Sequence, residues 1–413
     1  MSEMDSREID QPESDQPEAV PDERDDQETS KSGRQEQAQI MTGTGAVARA
    51  VRDVDVDVAA AYPITPQTEI VEELAHYVET GDLDAEYARV ESEHSALSTV
   101  MGASQANART FTATASQGLL YMSEMVWWTA GARLPVVMAV ANRALGPPWN
   151  IWGSHTDALS HRDAGWIQLF AGNVQEAYDL TLAAFRIAED ADVLLPTMVN
   201  LDGFTLATTM QPLDVVSKED VAEYLGDLDI PHSIDLENPR GYATMATGED
   251  FWRFRKKMMD AMDRVPRVTE TAFEELADIT GREYDLVHEY RTDDAELLIV
   301  GMGTLAREAE VAADVLRERE GIRAGVVRPR LYTPFPETAL REAVGTADRV
   351  VVLDRSTSFG RGGILTQDVQ QTLDCPVASV FAGIGGQSVD YEGIVDIATS
   401  ATPGERQWYG GDV

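Results

Sequence analysis

The chain has 413 residues, and its 72 aspartate and glutamate residues outnumber its 33 lysine and arginine residues, which gives a formal net charge of −39. A field this negative repels phosphate backbones and anionic lipid surfaces, so it argues against nucleic-acid binding and membrane-surface binding. The longest nearly uninterrupted apolar run, residues 134–141, is far shorter than the ~20 residues of a membrane-spanning helix. The N-terminus carries no apolar signal segment. We therefore predict a soluble, cytoplasmic protein with no nucleic-acid or membrane partner.

Cysteine and lysine are both scarce in this chain. Cys375 is the only cysteine, which excludes an internal disulfide and any iron–sulfur cluster held by this chain alone. Lysine supplies 4 of the 33 basic residues, and arginine supplies the rest. Many carboxylates with almost no lysine are typical of a salt-saturated cytoplasm, where molar ionic strength screens self-repulsion over ~3 Å. We therefore predict a halophilic source, and any redox metal must lie on a partner chain.

The N-terminal segment differs in composition from the rest of the chain. Residues 1–36 contain 13 acidic and 4 basic residues and no aromatic residue. Such a segment cannot bury enough surface to offset the entropy of ordering. We predict a disordered acidic tail over residues 1–37.

Short apolar runs and amphipathic segments alternate from residue 38 onwards, which predicts an α/β domain with a mainly parallel sheet over residues 38–235. A polar connector with a pair of amphipathic helices follows in residues 236–290. The alternation then restarts, which predicts a second, smaller α/β domain over residues 291–413. The predicted elements that bear on the site and on this second domain are strands at 110–115, 136–141, 193–200, 297–300, 324–327, 350–353 and 377–381, and helices at 95–106, 249–262, 269–280, 306–318 and 337–344.

Two motifs carry weak chemical signals. Residues 301–306, Gly-Met-Gly-Thr-Leu-Ala, match the dinucleotide fingerprint between a strand and a helix, but the next strand ends in arginines instead of the carboxylate that holds the ribose. A tight turn that needs glycine explains the same pattern. His155, Asp157, His161 and Asp163 are close enough in sequence to be metal ligands, although their spacing matches no known zinc helix and a hydrogen-bonded loop uses the same residues. We predict no metal site in this chain.

Polar segments at or after predicted strands are the informative feature, because ligands bind in open α/β sheets at the carboxyl ends of strands. Thr65 lies between two prolines that fix the turn, and Glu93 lies at the start of the small-residue helix 95–106. Residues 110–118 form a strand rich in threonine that runs into a glycine turn, and Arg143 follows a further strand as a candidate anion binder. Each segment taken alone also has an ordinary structural explanation, such as a helix cap.

Together, these segments closely resemble the α subunit of 2-oxoacid:ferredoxin oxidoreductases of the pyruvate type, and the resemblance extends through the C-terminal domain and omits only the acidic tail. It implies an α/β fold with a thiamine-diphosphate pyrimidine-binding domain followed by a transketolase C-terminal-like domain. The segments that carry it are YPITPQTE (62–69), ESEHSA (91–96), TFTATASQGLL (110–120), ANRALGPPWNIW (141–152), DAGWIQ (163–168), NLDGF (200–204), AGVVRPRLYTPFP (324–336) and VVLDRSTSFGRGG (351–363).

The resemblance also implies the chemistry. Family enzymes use thiamine diphosphate to decarboxylate a 2-oxoacid, transfer the acyl group to coenzyme A and pass electrons through iron–sulfur clusters to ferredoxin. Glu93 matches the glutamate that activates the cofactor, so we expect its side chain to be largely buried. Thr65 and Arg143 match the positions that hold the substrate, and Tyr62, Pro63 and Ile64 belong with Glu93 to the cofactor-binding set.

Partner subunits are implied in the same way. The chain has no Gly-Asp-Gly motif followed by asparagine, so Mg²⁺ and the diphosphate are expected on a β subunit, and the clusters on γ- and δ-type subunits or their fusions. Thiamine diphosphate would then be shared between subunits, with pyruvate and coenzyme A as substrates. The alternatives are a 2-oxoglutarate or branched-chain 2-oxoacid enzyme, a nicotinamide-dependent dehydrogenase that uses the turn at Gly301, and a scaffold without a catalytic role.

Overall fold

A computed structural model describes residues 39–242, 244–345 and 347–411. The predicted acidic tail, residues 1–37, lies outside the described residues. The strands are β1 (Gln39–Met41), β2 (Val58–Ala61), β3 (Glu86–Arg89), β4 (Thr110–Thr114), β5 (Val137–Asn142), β6 (Ile167–Phe170), β7 (Thr197–Asp202), β8 (Gln211–Leu213), β9 (Val287–Tyr290), β10 (Leu297–Val300), β11 (Ala324–Pro329), β12 (Leu331–Thr333), β13 (Arg349–Asp354), β14 (Val377–Phe381) and β15 (Arg406–Trp408).

The helices surround these strands. They are α1 (Gly43–Val54), α2 (Thr68–Thr80), α3 (Glu93–Gln105), α4 (Ser116–Tyr121), α5 (Ser123–Gly131), α6 (Thr156–Leu159), α7 (Val174–Glu189), α8 (Lys218–Leu225), α9 (Gly248–Met262), α10 (Val265–Thr280), α11 (Gly303–Val315), α12 (Glu337–Val344), α13 (Ile364–Thr372) and α14 (Tyr391–Ser400). In the described part of the chain, none of them combines the length and the hydrophobicity needed to cross a bilayer.

The first sheet has seven strands in the order β12-β6-β7-β5-β4-β2-β3, and only the edge strand β12 is antiparallel to its neighbour. All residues of β4, β5 and β7 are buried, as expected of parallel strands covered by helices on both faces. Thr114 pairs with Val140, and Asn142 pairs with Asp202. The carboxyl ends of β4, β5 and β7 therefore lie side by side at one edge of the sheet.

The second sheet has six strands in the order β15-β14-β13-β10-β11-β9, and only β9 is antiparallel to its neighbour. The two sheets share one hydrophobic core, in which Met198 of β7 and Leu298 of β10 are both fully buried. The predicted α/β fold class is confirmed, and both sheets are mainly parallel. β1 and β8 form a separate antiparallel pair.

Two strands lie across the predicted domain boundaries. β12 comes from residues 331–333, within the predicted C-terminal domain, yet it pairs with β6 at the edge of the first sheet. β9 comes from residues 287–290, within the predicted connector, yet it pairs with β11 of the second sheet. Each strand covers an edge that would otherwise present unpaired backbone groups.

The apolar run predicted as a strand at 193–200 differs most from the structure. Its first residues form a turn, in which the amides of Val193 and Leu194 both donate to the carbonyl of Asp190. β7 therefore begins only at Thr197. Hydrophobicity alone predicts burial here, and both halves of the run are buried, but it does not separate the turn from the strand.

Two helices begin earlier than their apolar periodicity predicts. The helix predicted at 269–280 begins at Val265, because Pro266 lies in the first turn, where its missing amide hydrogen costs nothing. The helix predicted at 95–106 begins at Glu93. The second shift places a carboxylate on the first turn of α3.

A buried ion cluster joins the two layers. Both terminal nitrogens of Arg328 on β11 donate to the carboxylate of Glu176 on α7, at 2.7 and 2.6 Å, and Arg330 donates at 3.3 Å. The amide of Gly172 adds a further bond of 2.7 Å. Burial opposes ionisation, but the two arginines outweigh it and lower the pKa of Glu176 to about 2.

Candidate functional site

Glu93 is the first residue of α3, and the side chain of Ser92 caps the helix by accepting from the amide of Ser95. The residue is 8% exposed, so the predicted burial is confirmed. Its carboxylate accepts no hydrogen bond from the described residues. The Glu93 oxygens are not among the fully buried unpartnered atoms of the described residues, so the carboxylate is open to an incoming group, which makes Glu93 a candidate to bind a ligand.

The backbone of Gly118 lies directly beside this carboxylate. It lies on α4, directly after β4, and a Cβ atom added to it would be 2.5 Å from the Thr114 hydroxyl and 2.7 Å from Oε1 of Glu93. The Thr114 hydroxyl is itself buried and unpartnered among the described residues. Only a glycine therefore allows the α4 turn to approach the carboxylate this closely.

Replacing Gly118 by alanine is expected to lower the activity of the assembled enzyme at least tenfold. The added methyl group must displace the Glu93 or Thr114 side chain, and small displacements near a reacting group are costly. Steady-state activity of the complex measures the effect. Gly102→Ala is the matched control, because Gly102 lies on α3 and its Cβ position is in open space. Full activity of the Gly118→Ala enzyme would contradict this description of the site.

Arg143 follows β5 and is 5% exposed. Its Nη1 donates to the carbonyl of Thr65 at 2.7 Å and its Nη2 donates to Gln117 at 3.3 Å, while Nε is buried without a partner among the described residues. Burial lowers the pKa of the guanidinium, and the charges of Asp157 and Glu93 oppose that shift. Glu93 and Arg143 are therefore close enough to act on one another, and Arg143 retains a free donor.

The turn after β2 carries the remaining predicted site residues. Gln67 fixes it, because its side chain donates to the carbonyl of Ala113 at 2.9 Å and accepts from the amide of Ile64 at 3.3 Å. Arg143 contacts Thr65 through the backbone carbonyl, which leaves the Thr65 hydroxyl exposed. Tyr62 is 39% exposed, and neither it nor Pro63 has a hydrogen bond or ring contact with the other predicted site residues in the described chain.

Asp157 is the residue that organises this edge of the sheet. It is fully buried, and its carboxylate accepts from the amides of Ser116 and Arg143, both at 2.9 Å, and from the side chain of Asn142 at 3.0 Å. Burial raises its pKa, and these donors oppose the shift. Because Ser116 follows β4 and Arg143 follows β5, Asp157 holds the two strand ends together.

Comparison with known proteins assigns the family. The family profile described as pyruvate flavodoxin/ferredoxin oxidoreductase, thiamine diphosphate-binding, matches residues 49–274, and the pyruvate:ferredoxin oxidoreductase core domain II profile matches residues 295–394. Pyruvate synthase subunit PorA of Methanothermobacter thermautotrophicus is 41% identical over 374 residues, which cover 90% of this chain and 97% of the relative. The chain belongs to the pyruvate:ferredoxin oxidoreductase family.

Other relatives of this family are similar over comparable lengths. Pyruvate synthase subunit PorA of Thermotoga maritima is 42% identical over 86% of this chain and 92% of the relative. Ketoisovalerate oxidoreductase subunit VorA of Pyrococcus abyssi is 39% identical over 87% of this chain and 92% of the relative. The solved 2-oxoglutarate:ferredoxin oxidoreductase from Magnetococcus marinus has a TM-score of 0.71 at 20% identity, covering 88% of this chain and 65% of that chain, which shows the shared fold.

Family membership confirms the predicted fold class and the identification of an oxidoreductase subunit with a thiamine-diphosphate-binding domain. Of the four side chains weighed as possible metal ligands, Asp157 accepts the hydrogen bonds described above. His155 contacts Asp202, while Nε2 of His161 lies 2.8 Å from the Ser123 hydroxyl. Among the described residues, no three His, Cys, Asp or Glu side chains converge as a metal site.

The turn at Gly301 has a structural use in this family member. Asp202, at the end of β7, accepts from the amide and the hydroxyl of Thr304 at 2.6 and 2.7 Å, at the start of α11. Arg355 lies 2.8 Å and His155 lies 2.6 Å from its other oxygen. Burial raises the pKa of the Asp202 carboxyl, but Arg355 and His155 outweigh it and hold the pKa well below its usual range.

This carboxylate lies at the helix N-terminus that a dinucleotide pyrophosphate would need. Gly303 has φ of +58°, and a side chain there would collide with Asp202, which explains the glycine without a nucleotide. The dehydrogenase alternative therefore loses the feature on which it depended. The sequence gives no direct signal for this contact, because Asp202 and Thr304 are 102 residues apart.

Proposed function

We propose that this chain is the α subunit of a heteromeric pyruvate:ferredoxin oxidoreductase. The enzyme would convert pyruvate, coenzyme A and two oxidised ferredoxins into acetyl-coenzyme A, CO₂, two reduced ferredoxins and a proton. The observation that carries the proposal is the position of Glu93, a largely buried residue whose carboxylate has no hydrogen-bond donor among the described residues, lies against Gly118 and is within electrostatic reach of Arg143. The family's thiamine-diphosphate-binding profile covers all three residues.

The residues present fit the aminopyrimidine part of thiamine diphosphate. When bound, this cofactor supplies a carbon nucleophile and an electron sink for decarboxylation. Glu93 would hold a proton at the ring nitrogen, the role that the sequence resemblance implies for it. The turn formed by Tyr62, Pro63 and Ile64 would border the ring, and the close approach of Gly118 would hold the carboxylate in position.

Arg143 would bind the carboxylate of the 2-oxoacid, with the Thr65 hydroxyl near the keto oxygen. The unpartnered Nε of Arg143 and its Nη groups, which each make one hydrogen bond, supply charge-assisted donors. An anionic substrate in a chain of net charge −39 requires such a local cation.

Replacing Arg143 by methionine is expected to raise the KM for pyruvate about 10- to 100-fold with a smaller change in kcat, because a hydrogen bond to a charged group contributes about 1.5–3 kcal/mol. Initial rates of the assembled enzyme over a range of pyruvate concentrations measure it. Arg361→Met removes an exposed arginine as the control. An unchanged KM would remove Arg143 from the substrate site.

The remaining parts of the enzyme would lie on other subunits. We propose that a β subunit binds Mg²⁺ and the diphosphate, and that γ- and δ-type subunits carry iron–sulfur clusters to ferredoxin, because this chain has one cysteine and no Gly-Asp-Gly motif followed by asparagine. The acidic, lysine-poor composition supports cytoplasmic function in a halophile.

The choice of 2-oxoacid is the finer part of the proposal. Pyruvate synthase subunits and a ketoisovalerate oxidoreductase subunit are similar to this chain at 41% and 39% identity, so a branched-chain or 2-oxoglutarate enzyme is the alternative. The substrate profile of the purified enzyme tests it. We expect the highest kcat/KM with pyruvate, and a preference for 2-oxoisovalerate or 2-oxoglutarate would contradict the assignment.

A further inference from the structure

Helix α9 has an apolar face that the rest of the described chain covers only in part. Phe251, Phe254 and Met258 lie on one face, at positions i, i+3 and i+7. Met258 is packed, because its methyl group lies 3.0 Å from the Cβ position of Gly165, which is also 3.2 Å from Ala130 of α5. Phe251 and Phe254 are 54% and 57% exposed. Over this span of about 10 Å, the same face changes from covered to uncovered.

The uncovered half of α9 is also basic. Arg253, Arg255, Lys256 and Lys257 fall within five residues, and two of the four lysines of this acidic chain are among them. Glu249 pairs with Arg253 and Asp260 pairs with Lys256, both at 2.6 Å.

Of the other two cations, Lys257 is exposed, whereas Arg255 is partly buried and donates to the Met258 sulfur at 3.5 Å. In the described chain neither Arg255 nor Lys257 makes an ion pair, and the Arg255 guanidinium lies 5.1 Å from the centre of the Phe251 ring. This surface therefore fits a partner with apolar side chains bordered by carboxylates.

Exposed aromatic side chains also lie between α9 and the candidate site. Tyr121 is 60% exposed, and its ring is 6.1 Å from that of His94, the neighbour of Glu93. Trp127 and Trp128 on α5 are 47% and 45% exposed, and α5 packs against α9. Exposed aromatic side chains therefore occur beside Glu93, on α5 and on α9, and a group of exposed aromatic residues is typical of an interaction site.

We propose that the N-terminal half of α9, residues 248–257, is a docking arm for the companion subunit that carries the diphosphate and Mg²⁺ site. The inference rests on the proposed function, which requires such a subunit over Glu93, and it is supported by the exposed aromatic residues on α5, the helix that packs against α9. A second copy of this chain fits less well, because a twofold contact through this face would bring the two cations without an ion pair, Arg255 and Lys257, of each arm together.

The test is assembly of the co-expressed complex with the companion chain that has the Gly-Asp-Gly and asparagine motif. Phe251→Asp/Phe254→Asp is expected to reduce recovery of the companion at least tenfold in size-exclusion chromatography with light scattering. Val311→Asp/Met210→Asp is the matched control, because both side chains are exposed and lie on other elements. Because Phe251 and Phe254 are more than half exposed, we expect the isolated chain to keep its circular dichroism spectrum.

Arg255→Glu/Lys257→Glu provides a second test that leaves the aromatic residues in place, and it is expected to weaken companion binding at least fivefold. Full recovery of the companion with both variants would overturn the proposal. The proposal would also be overturned if the variants abolished self-association of the isolated chain and left companion binding unchanged. The two proposals can fail separately. A Glu93→Gln complex that assembles but remains fully active would contradict the proposed function and leave the docking arm supported.

Discussion

Replacing Glu93 by glutamine is expected to lower the kcat of the assembled enzyme by a factor of about 10² to 10⁴, the usual contribution of a positioned acid or base. The amide keeps the size of the side chain but cannot hold a proton for the cofactor ring. Since the carboxylate accepts no hydrogen bond from the described residues, the substitution breaks no protein contact, and thermal stability should be unchanged or slightly higher.

Glu91→Gln is the matched control for that experiment. Glu91 precedes the same helix, is exposed and accepts from the Ser95 hydroxyl at 2.7 Å, so its replacement should change activity less than twofold. Pyruvate-dependent ferredoxin reduction at saturating thiamine diphosphate measures both variants. A loss of less than tenfold with Glu93→Gln would mean that this carboxylate has no direct part in cofactor activation, and would favour a scaffold role for the chain.

Replacing Glu176 by glutamine is expected to lower the free energy of unfolding by about 3–5 kcal/mol, because it leaves Arg328 fully buried without its counter-charge. Chemical denaturation at pH 7 measures the loss. Glu337→Gln removes a carboxylate whose pair with Arg341 on α12 is half exposed, and it should change stability by less than about 1 kcal/mol. Equal effects of the two substitutions would contradict the importance of the buried cluster.

The same cluster gives a pH dependence with a defined sign. The folded-state pKa of Glu176, about 2, is below its ordinary value of 4.5, so its ionised form stabilises the folded state above pH 4.5. That stabilisation, about 3 kcal/mol, is lost as the pH falls from 4.5 towards 2. The stability difference between the wild type and Glu176→Gln should therefore shrink by about 2 kcal/mol between pH 7 and pH 3. A difference that stays constant over this range would be evidence against the low pKa.

The sequence predicts the two α/β layers because local patterns carry that information. Buried parallel strands such as β10 and β14 read as continuous apolar runs, and their predicted limits, 297–300 and 377–381, agree with the structure. Glycine and polar residues after β4 and β5 likewise indicate which edge of the sheet holds the candidate site.

Long-range contacts are what local patterns do not reveal. From the sequence, Asp157 fits a hydrogen-bonded loop or a metal ligand, and only the fold brings it to the amides of Ser116 and Arg143. Asp202 contacts Thr304 and Arg355 of the second layer, over separations of more than 100 residues. A buried aspartate and an exposed one are the same residue type in the sequence, and only the fold shows which environment the side chain has.

The central claim, that this chain supplies the activating carboxylate of an active site completed by another subunit, is tested most directly by measuring pyruvate turnover of the isolated chain and of its complex. With thiamine diphosphate, Mg²⁺, coenzyme A and ferredoxin present, we predict no turnover by the isolated chain, and turnover that depends on Glu93 once the companion subunits are added. Robust turnover by the isolated chain would contradict the claim.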